Sequence, residues 1–461
     1  MNTKIIAVLF LMFTGLSAFC QVNSHYWSHQ YGSRGLLLNG SIIASVNDET
    51  AIFYNPGAMS LSEDFGLSLS LITPTYSLIR TTDFLGEGTS FNDQGLGLAP
   101  GLVAAKFKPF DTEKITMGFT TFKRFKSEVK VEDRFVNEIL NNDSQIFLGD
   151  VDFSRKLNET WVGLGMSFRF NKHFAVGFSQ FLTWRGEEVA LNFRKEILDR
   201  DNPENLIAGW RSNFQYGYSA NGGVLTKFGI SWQPGEVKFG ATFTTSTYGL
   251  ILKGADYSFE DQKVFTDNTS TASSNDRSVD LNEYHTPWSI GLGIEIPIGE
   301  SKLSISTEYF SNVEKYDLID DTDDPLDGLS SNPETTTVRI GQANERVLNV
   351  AIGLEKPWKR RYTRFFGLRT DFSPQSLFEL SEGVSFLAST PSIYHVSTGV
   401  AYSYKRSQFS VGIDYGFGFK RGGRQLTDIT DINVDNIFEF SGEGTVETFV
   451  HQLSLYITYD L

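Results

Sequence analysis

From Phe409 to Phe419 every second residue is large and apolar: Phe409, Val411, Ile413, Tyr415, Phe417 and Phe419, with Gln408, Ser410, Gly412, Asp414, Gly416 and Gly418 between them. A period of two belongs to a β-strand and not to a helix. Ten residues of rise at about 3.3 Å, tilted by about 40°, make a stripe roughly 25 Å tall, the height of the lipid-facing band of a membrane barrel. A soluble sandwich alternates in the same way, with its large side chains turned inward and a more charged outer face, so one stripe leaves both architectures open.

The spacing of the stripes separates them. Strands are predicted at 65–79, 97–108, 114–130, 159–170, 173–193, 213–232, 236–250, 286–298, 302–315, 346–356, 361–373, 392–404, 407–420 and 447–461. Short turns (Pro109-Phe110-Asp111, Asn171-Lys172, Gln233-Pro234-Gly235, Gly299-Glu300-Ser301, Pro357-Trp358-Lys359, Lys405-Arg406) alternate with long connections at 80–96, 131–158, 194–212, 251–285, 316–345, 374–391 and 421–446. Strict alternation is the plan of an up-and-down membrane barrel, with short turns in the periplasm and long loops outside. The predicted fold class is therefore all-β, a fourteen-stranded antiparallel transmembrane barrel over 63–461. Ile290, Leu292, Ile294, Ile296 and Ile298 form another stripe, and Leu453, Leu455, Ile457, Tyr459 and Leu461 close the chain. The closing strand resembles the signal read by outer-membrane assembly machinery, which joins outer-membrane lipid and lipopolysaccharide as an expected partner. By the same phase Arg169, Lys227, Lys238, Glu295, Glu308, Glu355, Arg369, Asp371 and Asp414 face the lumen, either pairing around a plug or lining a polar path.

The first twenty residues read as a signal peptide: Lys4, an apolar run from Ile5 to Phe13, then Ala18-Phe19-Cys20 with small residues suited to cleavage before Gln21. Cys20 also admits a reading as a lipidated cysteine, against which Phe19 stands where a small residue is wanted. No segment holds the 18 apolar residues of a membrane helix. A formal net charge of −15 and a pI of about 5.0 argue against nucleic acid as a partner. The localisation this implies is the outer membrane of a Gram-negative cell.

Residues 21–62 precede the first stripe and do not alternate, and a fourteen-stranded barrel has room for them as a plug. Ser33-Arg34-Gly35 and the run Ala44-Ser45-Val46-Asn47-Asp48-Glu49-Thr50-Ala51-Ile52-Phe53-Tyr54-Asn55-Pro56-Gly57-Ala58-Met59 resemble the amino-terminal hatch of the long-chain fatty-acid transporter (FadL-like) family. The family signature is Asn-Pro-Ala; here Asn55 and Pro56 are followed by Gly57, which permits a looser backbone. The resemblance implies a hatch at 21–62 inside the barrel and outer-membrane transport of hydrophobic molecules, long-chain fatty acids or aromatic hydrocarbons, by facilitated diffusion. It implies a ligand site bordered by Phe53, Tyr54 and Met59 around the turn Asn55-Pro56-Gly57, and an inward kink of the third strand within 114–130. The bland alternative is a structural plug in which Asn55 caps a turn and Pro56 stiffens it. Plugged barrels resembling this family also serve as docking components of protein secretion systems, the alternative function.

Other chemistry is weakly signalled. The stretch 311–345 holds nine acidic residues against Lys315 and Arg339; Asp321, Asp323 and Asp327 before Gly328 miss the spacing of a regular calcium loop and read as a solvated acidic loop. His25 and His29 stand four apart like zinc ligands, with Tyr26 where a catalytic Glu would be. His395 and Ser397 share the lumen phase, without an identifiable orienting acid or oxyanion pocket, so no enzyme, metal or cofactor is expected.

Overall fold

The computed structural model describes residues 25–62, 67–70, 73–99, 101–109, 112, 114–138, 144–252, 254–320, 339–374, 391–404, 407–425, 428–429, 432–439, 442 and 444–460. The signal-peptide reading with Cys20, the first four residues of the 21–62 segment, Phe110 and Asp111, Asp321, Asp323, Asp324 and Asp327, the Lys405-Arg406 turn and Leu461 lie outside them.

Most of the described chain is antiparallel sheet. β1 (Leu67–Ser70) and β2 (Thr73–Thr82) follow one line, β3 (Ser90–Ala99) and β4 (Leu102–Phe107) the next. β5 (Ile115–Glu138), β6 (Gln145–Asn171), β7 (Phe174–Asp199) and β8 (Leu206–Trp232) are long and unbroken. β9 (Lys238–Thr244), β10 (Tyr248–Leu252) and β11 (Ala255–Val264) all run against β8, while β12 (Ser270–Val279) pairs with β11 and β13 (Ser289–Ile298) with β9. β14 (Ser301–Phe310) is followed by a separate two-stranded ribbon of β15 (Val313–Asp320) and β16 (Arg339–Asn344), and β17 (Val347–Lys359), β18 (Tyr362–Asp371), β19 (Ile393–Tyr404), β20 (Ser407–Arg424) and β21 (Thr445–Asp460) complete the wall, with β17 paired to β14. β21 pairs with β20 on one side and with β1 and β2 on the other, so the circuit of pairings returns to its first strands.

The stripes keep their predicted phase. Phe409, Val411, Ile413, Tyr415, Phe417 and Phe419 are exposed, as are Leu453, Leu455, Ile457 and Tyr459, while Ser410, Asp414 and Thr458 on the alternate positions are buried. Large apolar side chains are thus on the outside, up to 65% exposed at Leu164 and 69% at Tyr248.

Above this band the strands continue where connections were predicted. β5 and β6 extend to Glu138 and from Gln145, β7 and β8 to Asp199 and from Leu206, and 251–285 contains β11 and β12. The physical reason is a change of polarity: Lys130, Glu132, Arg134 and Lys156 are exposed here, while Phe147, Val151, Leu191, Phe193, Ile197 and Trp210 are buried. Their inner surface packs on Leu85, Ile429, Ile432 and Ile437 from the neighbouring loops. A pattern sought as apolar-outside ends where this inverted alternation begins. Cysteines replacing the register partners Leu78 and His451, whose Cα atoms sit within disulfide range in an antiparallel pair, are expected to join first and last strands on oxidation. A reducible change in migration of the denatured chain checks the closure; no cross-link would place the two strands apart.

Candidate functional site

The segment from His25 to Ser62 is almost wholly buried against the inner face of the sheet. Two short helices shape it, α1 (Ser33–Leu37) and α2 (Ala51–Tyr54), followed by a 3₁₀ turn at Pro56–Ser60. The turn is set by its first residues. Asn55 Oδ1 accepts from Gly57 N (3.0 Å), its Nδ2 donates to Ile43 O (2.9 Å) and to Ile230 O of β8 (3.0 Å), and Pro56 begins the turn where a missing N–H costs nothing. Gly57 is required by contact rather than giving looseness: a Cβ there would lie 2.6 Å from Gly229 O, and one on Gly177 would lie 2.4 Å from Pro56 O. Gly118 makes the corresponding room for Ile52.

Polar groups fasten the segment elsewhere. Arg34 reaches Glu295 (3.0 Å) and Glu355 (2.8 Å) on β13 and β17, and those carboxylates also meet Lys238 (2.9 Å) and Lys302 (3.7 Å). Trp27 donates its indole N–H to Glu308 (2.8 Å) and its backbone N–H to Asp371 (3.0 Å). Asn39 donates to Asp414, which holds His395 at 2.8 Å, and Ser397 donates to Leu37 O. These charged side chains of the inner face therefore serve largely to seat the segment. His395 and Ser397 are engaged with separate partners, and among the described residues no three His, Cys, Asp or Glu side chains converge as metal ligands. His25 lies 3.0 Å from Pro391 O, and burial together with nearby Arg124 pushes His29 down to about 3.

Between the segment and the wall lies a cavity of ≈ 80 Å³. Phe53, Tyr54, Trp161, Phe125, Leu225, Ile43 and Phe310 give its apolar lining, and Arg124, Lys227, Glu159 and Glu308 also line it. Phe53 is half-buried and meets Tyr31, Tyr54 and Phe122 at centroid distances of 5.3, 5.0 and 5.1 Å. Tyr54 is fixed through its hydroxyl, which accepts from Tyr31 N and donates to Gln30 (both 2.9 Å). Met59 is fully buried among the wall-packed residues and does not line the cavity. The expected trio thus divides into two lining residues and one packing residue.

Two cations face the rings. The Arg124 guanidinium lies 5.0 to 5.7 Å from Phe125, Phe53 and Trp161, and Lys227 Nζ lies 5.4 Å from Phe53 and 3.9 Å from Glu308. Arg124 is 7% exposed; one of its terminal nitrogens donates to Tyr26 O, and the other has no partner among the described residues. Glu159 is already committed to Trp161 (2.6 Å) and Arg185 (2.9 Å). Arg124 escapes a periodicity argument because the register of β5 shifts between Lys123 and Phe125, which leaves consecutive Arg124 and Phe125 both buried. The only sequence signal is the crowded Phe122-Lys123-Arg124-Phe125-Lys126, where alternation falters.

No protein-family model matches the chain, and no curated protein matches it in sequence. Solved structures do match in fold. A FadL homologue of Pseudomonas aeruginosa aligns with TM-score 0.57 at 12% identity, over 95% of this chain and 99% of that one. The toluene transporter TodX of Pseudomonas putida gives 0.58 at 12% identity over 95% and 99%, and the toluene transporter TbuX of Ralstonia pickettii 0.54 at 12% over 94% and 98%. The chain has the fold of these FadL-type transporters along nearly its whole length.

Two predictions follow from the seating of the segment. Asn55→Ala strands the Ile43 and Ile230 carbonyls, at about 1–3 kcal/mol per buried group, and Gly229→Leu collides with Asn55 and Gly57; both variants are expected to expose residues 25–62 to limited proteolysis while the sheet stays resistant. Protection equal to wild type would mean that these contacts do not hold the segment. For pH, His29 is held below its ordinary value of 6.5, so the undocked state binds more protons between pH 6.5 and about 3. Its contribution to docking is full above 6.5 and falls as pH drops through that window. Proteolysis at pH 7 and pH 5 should show the loss, and His29→Gln should reduce it.

Proposed function

We propose that this chain is a fourteen-stranded outer-membrane barrel, with residues 21–62 as a hatch in its lumen, that passes hydrophobic molecules by facilitated diffusion. The reading is supported by the spacing of stripes and connections in the sequence, which calls for fourteen strands, and by the exposed stripe from Phe409 to Phe419, which suits a hydrocarbon band roughly 25 Å tall. Apolar side chains in such numbers on the outside call for lipid rather than water. Assembly machinery, outer-membrane lipid and lipopolysaccharide are the partners this location entails.

The observation that carries the reading is the cavity at residues 25–62: aromatic rings line it together with the buried guanidinium of Arg124, one of whose terminal nitrogens has no hydrogen-bond partner among the described residues. A buried N–H left unmade costs about 1–3 kcal/mol, and a carboxylate supplies the missing acceptor with opposite charge. The site therefore suits an amphiphile with an apolar body and an anionic head, as a long-chain fatty acid has, and suits a bare hydrocarbon less well. The register shift beside Arg124 is the place where the third strand can open toward the lipid, as the resemblance implies, giving the ligand a sideways exit.

The test is uptake of labelled oleate and toluene by cells carrying wild type, Phe53→Ser, Arg124→Gln or a deletion. Burying an aromatic ring against ligand is worth about 1.5–3 kcal/mol, so Phe53→Ser should weaken binding of both solutes about ten-fold or more. Arg124→Gln should impair oleate and spare toluene. Wild-type uptake of both in the deletion strain, with loss of secreted proteins, would replace transport by the role of a docking component in protein secretion.

A further inference from the structure

The turn between β17 and β18 gathers positive charge on an acidic chain. From Lys356 to Arg364 the sequence reads Lys-Pro-Trp-Lys-Arg-Arg-Tyr-Thr-Arg, five cations without a carboxylate, against a net charge of −15 overall. All five, Lys356, Lys359, Arg360, Arg361 and Arg364, are exposed, and none forms an ion pair among the described residues. Lys356 and Arg364 are direct register partners. They continue the outward faces that carry Leu354 on one strand and Phe366 and Leu368 on the other, all exposed.

Like charges placed opposite one another across a strand pair repel, and these two stand at the edge of the apolar band, where water is giving way to lipid. Their surroundings hold them along the wall. The Arg364 guanidinium lies 3.6 Å from the centroid of Trp358, which is 48% exposed, and Lys359 Nζ lies 5.2 Å from the same ring. Tyr362, 40% exposed, stacks obliquely on Tyr402 at 5.0 Å, and Arg361 donates to Tyr402 Oη (3.3 Å). Amphipathic rings with cations laid over them, at the boundary of an apolar face, are the arrangement of a headgroup-level belt.

We propose that Lys356, Arg364 and Trp358 form a binding site for the anionic phosphate headgroup of a glycerophospholipid in the leaflet on the short-turn side. The inference rests on the membrane-barrel reading above. The phosphate sits between the Lys356 ammonium and the donor fork of Arg364, relieving their repulsion, and the acyl chains lie down the face of Leu354, Phe366 and Leu368. Lipopolysaccharide does not compete for it, because that lipid occupies the opposite leaflet, beside the long strands.

The experiment uses the full chain folded in mixed micelles, with dimyristoylphosphatidylglycerol and dimyristoylphosphatidylcholine supplied in equal amounts and bound lipid counted by native mass spectrometry. A juxtamembrane cation contributes about 1 kcal/mol toward an anionic lipid, about five-fold in binding. Wild type should retain phosphatidylglycerol over phosphatidylcholine by about five-fold or more, Lys356→Gln with Arg364→Gln should abolish the preference, and Trp358→Ala should lower it with the charges intact. Unchanged preference in the double variant overturns the site. So does complete displacement of the lipid by millimolar inorganic phosphate, which would make it a free-anion site. Heat-modifiable migration of each variant, with insertion into vesicles, reports on the barrel separately: insertion without lipid preference sinks only this inference, and failure of the wild type to insert sinks the reading beneath it.

Discussion

Everything in this molecule depends on backbone hydrogen bonds that must be completed within the wall. On the membrane-barrel reading proposed above, an outer face of Phe, Leu, Ile and Tyr side chains set in lipid offers the N–H and C=O groups behind it no water, and an unpaired group in such surroundings costs several kcal/mol. The pairing of β21 with β1 and β2 answers that demand by leading the sheet back to its own beginning. The same demand explains why collinear strands such as β1 and β2, or β9, β10 and β11, resume along the same neighbours after each interruption.

A wall turned apolar-outward must keep its polar and small residues inside, and this sets the character of the interior. Glycines at 177 and 229 let the 25–62 segment approach backbone to backbone, and buried charges meet it with Arg34, Trp27 and Asn39. Removing charges from water is costly unless they are paired and bonded, so the Glu295 and Glu355 carboxylates make the position of Arg34 specific more than they make the protein stable. The cavity at Phe53 and Arg124 arises where this seating is incomplete. It lies beside the one place in β5 where the register slips.

Much of this was legible in the sequence, because a period of two is a direct consequence of strand geometry. The stripes at 290–298, 409–419 and 453–459 keep their predicted phase, and Glu295, Glu308, Arg369, Asp371 and Asp414, expected on the opposite face, are all buried. Two things were hidden. The upper halves of β5 to β8 alternate with the opposite polarity, apolar inside and charged outside, so a search for lipid-facing stripes reads them as loops. Arg124 was hidden because a bulge places consecutive residues on one face, and nothing in residue order marks which of Arg124, Lys123 and Lys126 turns inward. Likewise the hatch motif drew attention to Phe53, Tyr54 and Met59 together, while only three-dimensional packing separates Met59, buried against the wall, from the two that border the cavity.

The central claim is that residues 21–62 close the lumen of a membrane-spanning barrel, and single-channel conductance in planar bilayers tests it most directly. The full chain should stay nearly closed, and a chain lacking 21–62 but still heat-modifiable should conduct small ions through a wide, weakly selective pore. Equal conductance of the two would contradict the account, because the segment would then lie outside the path it is held to block.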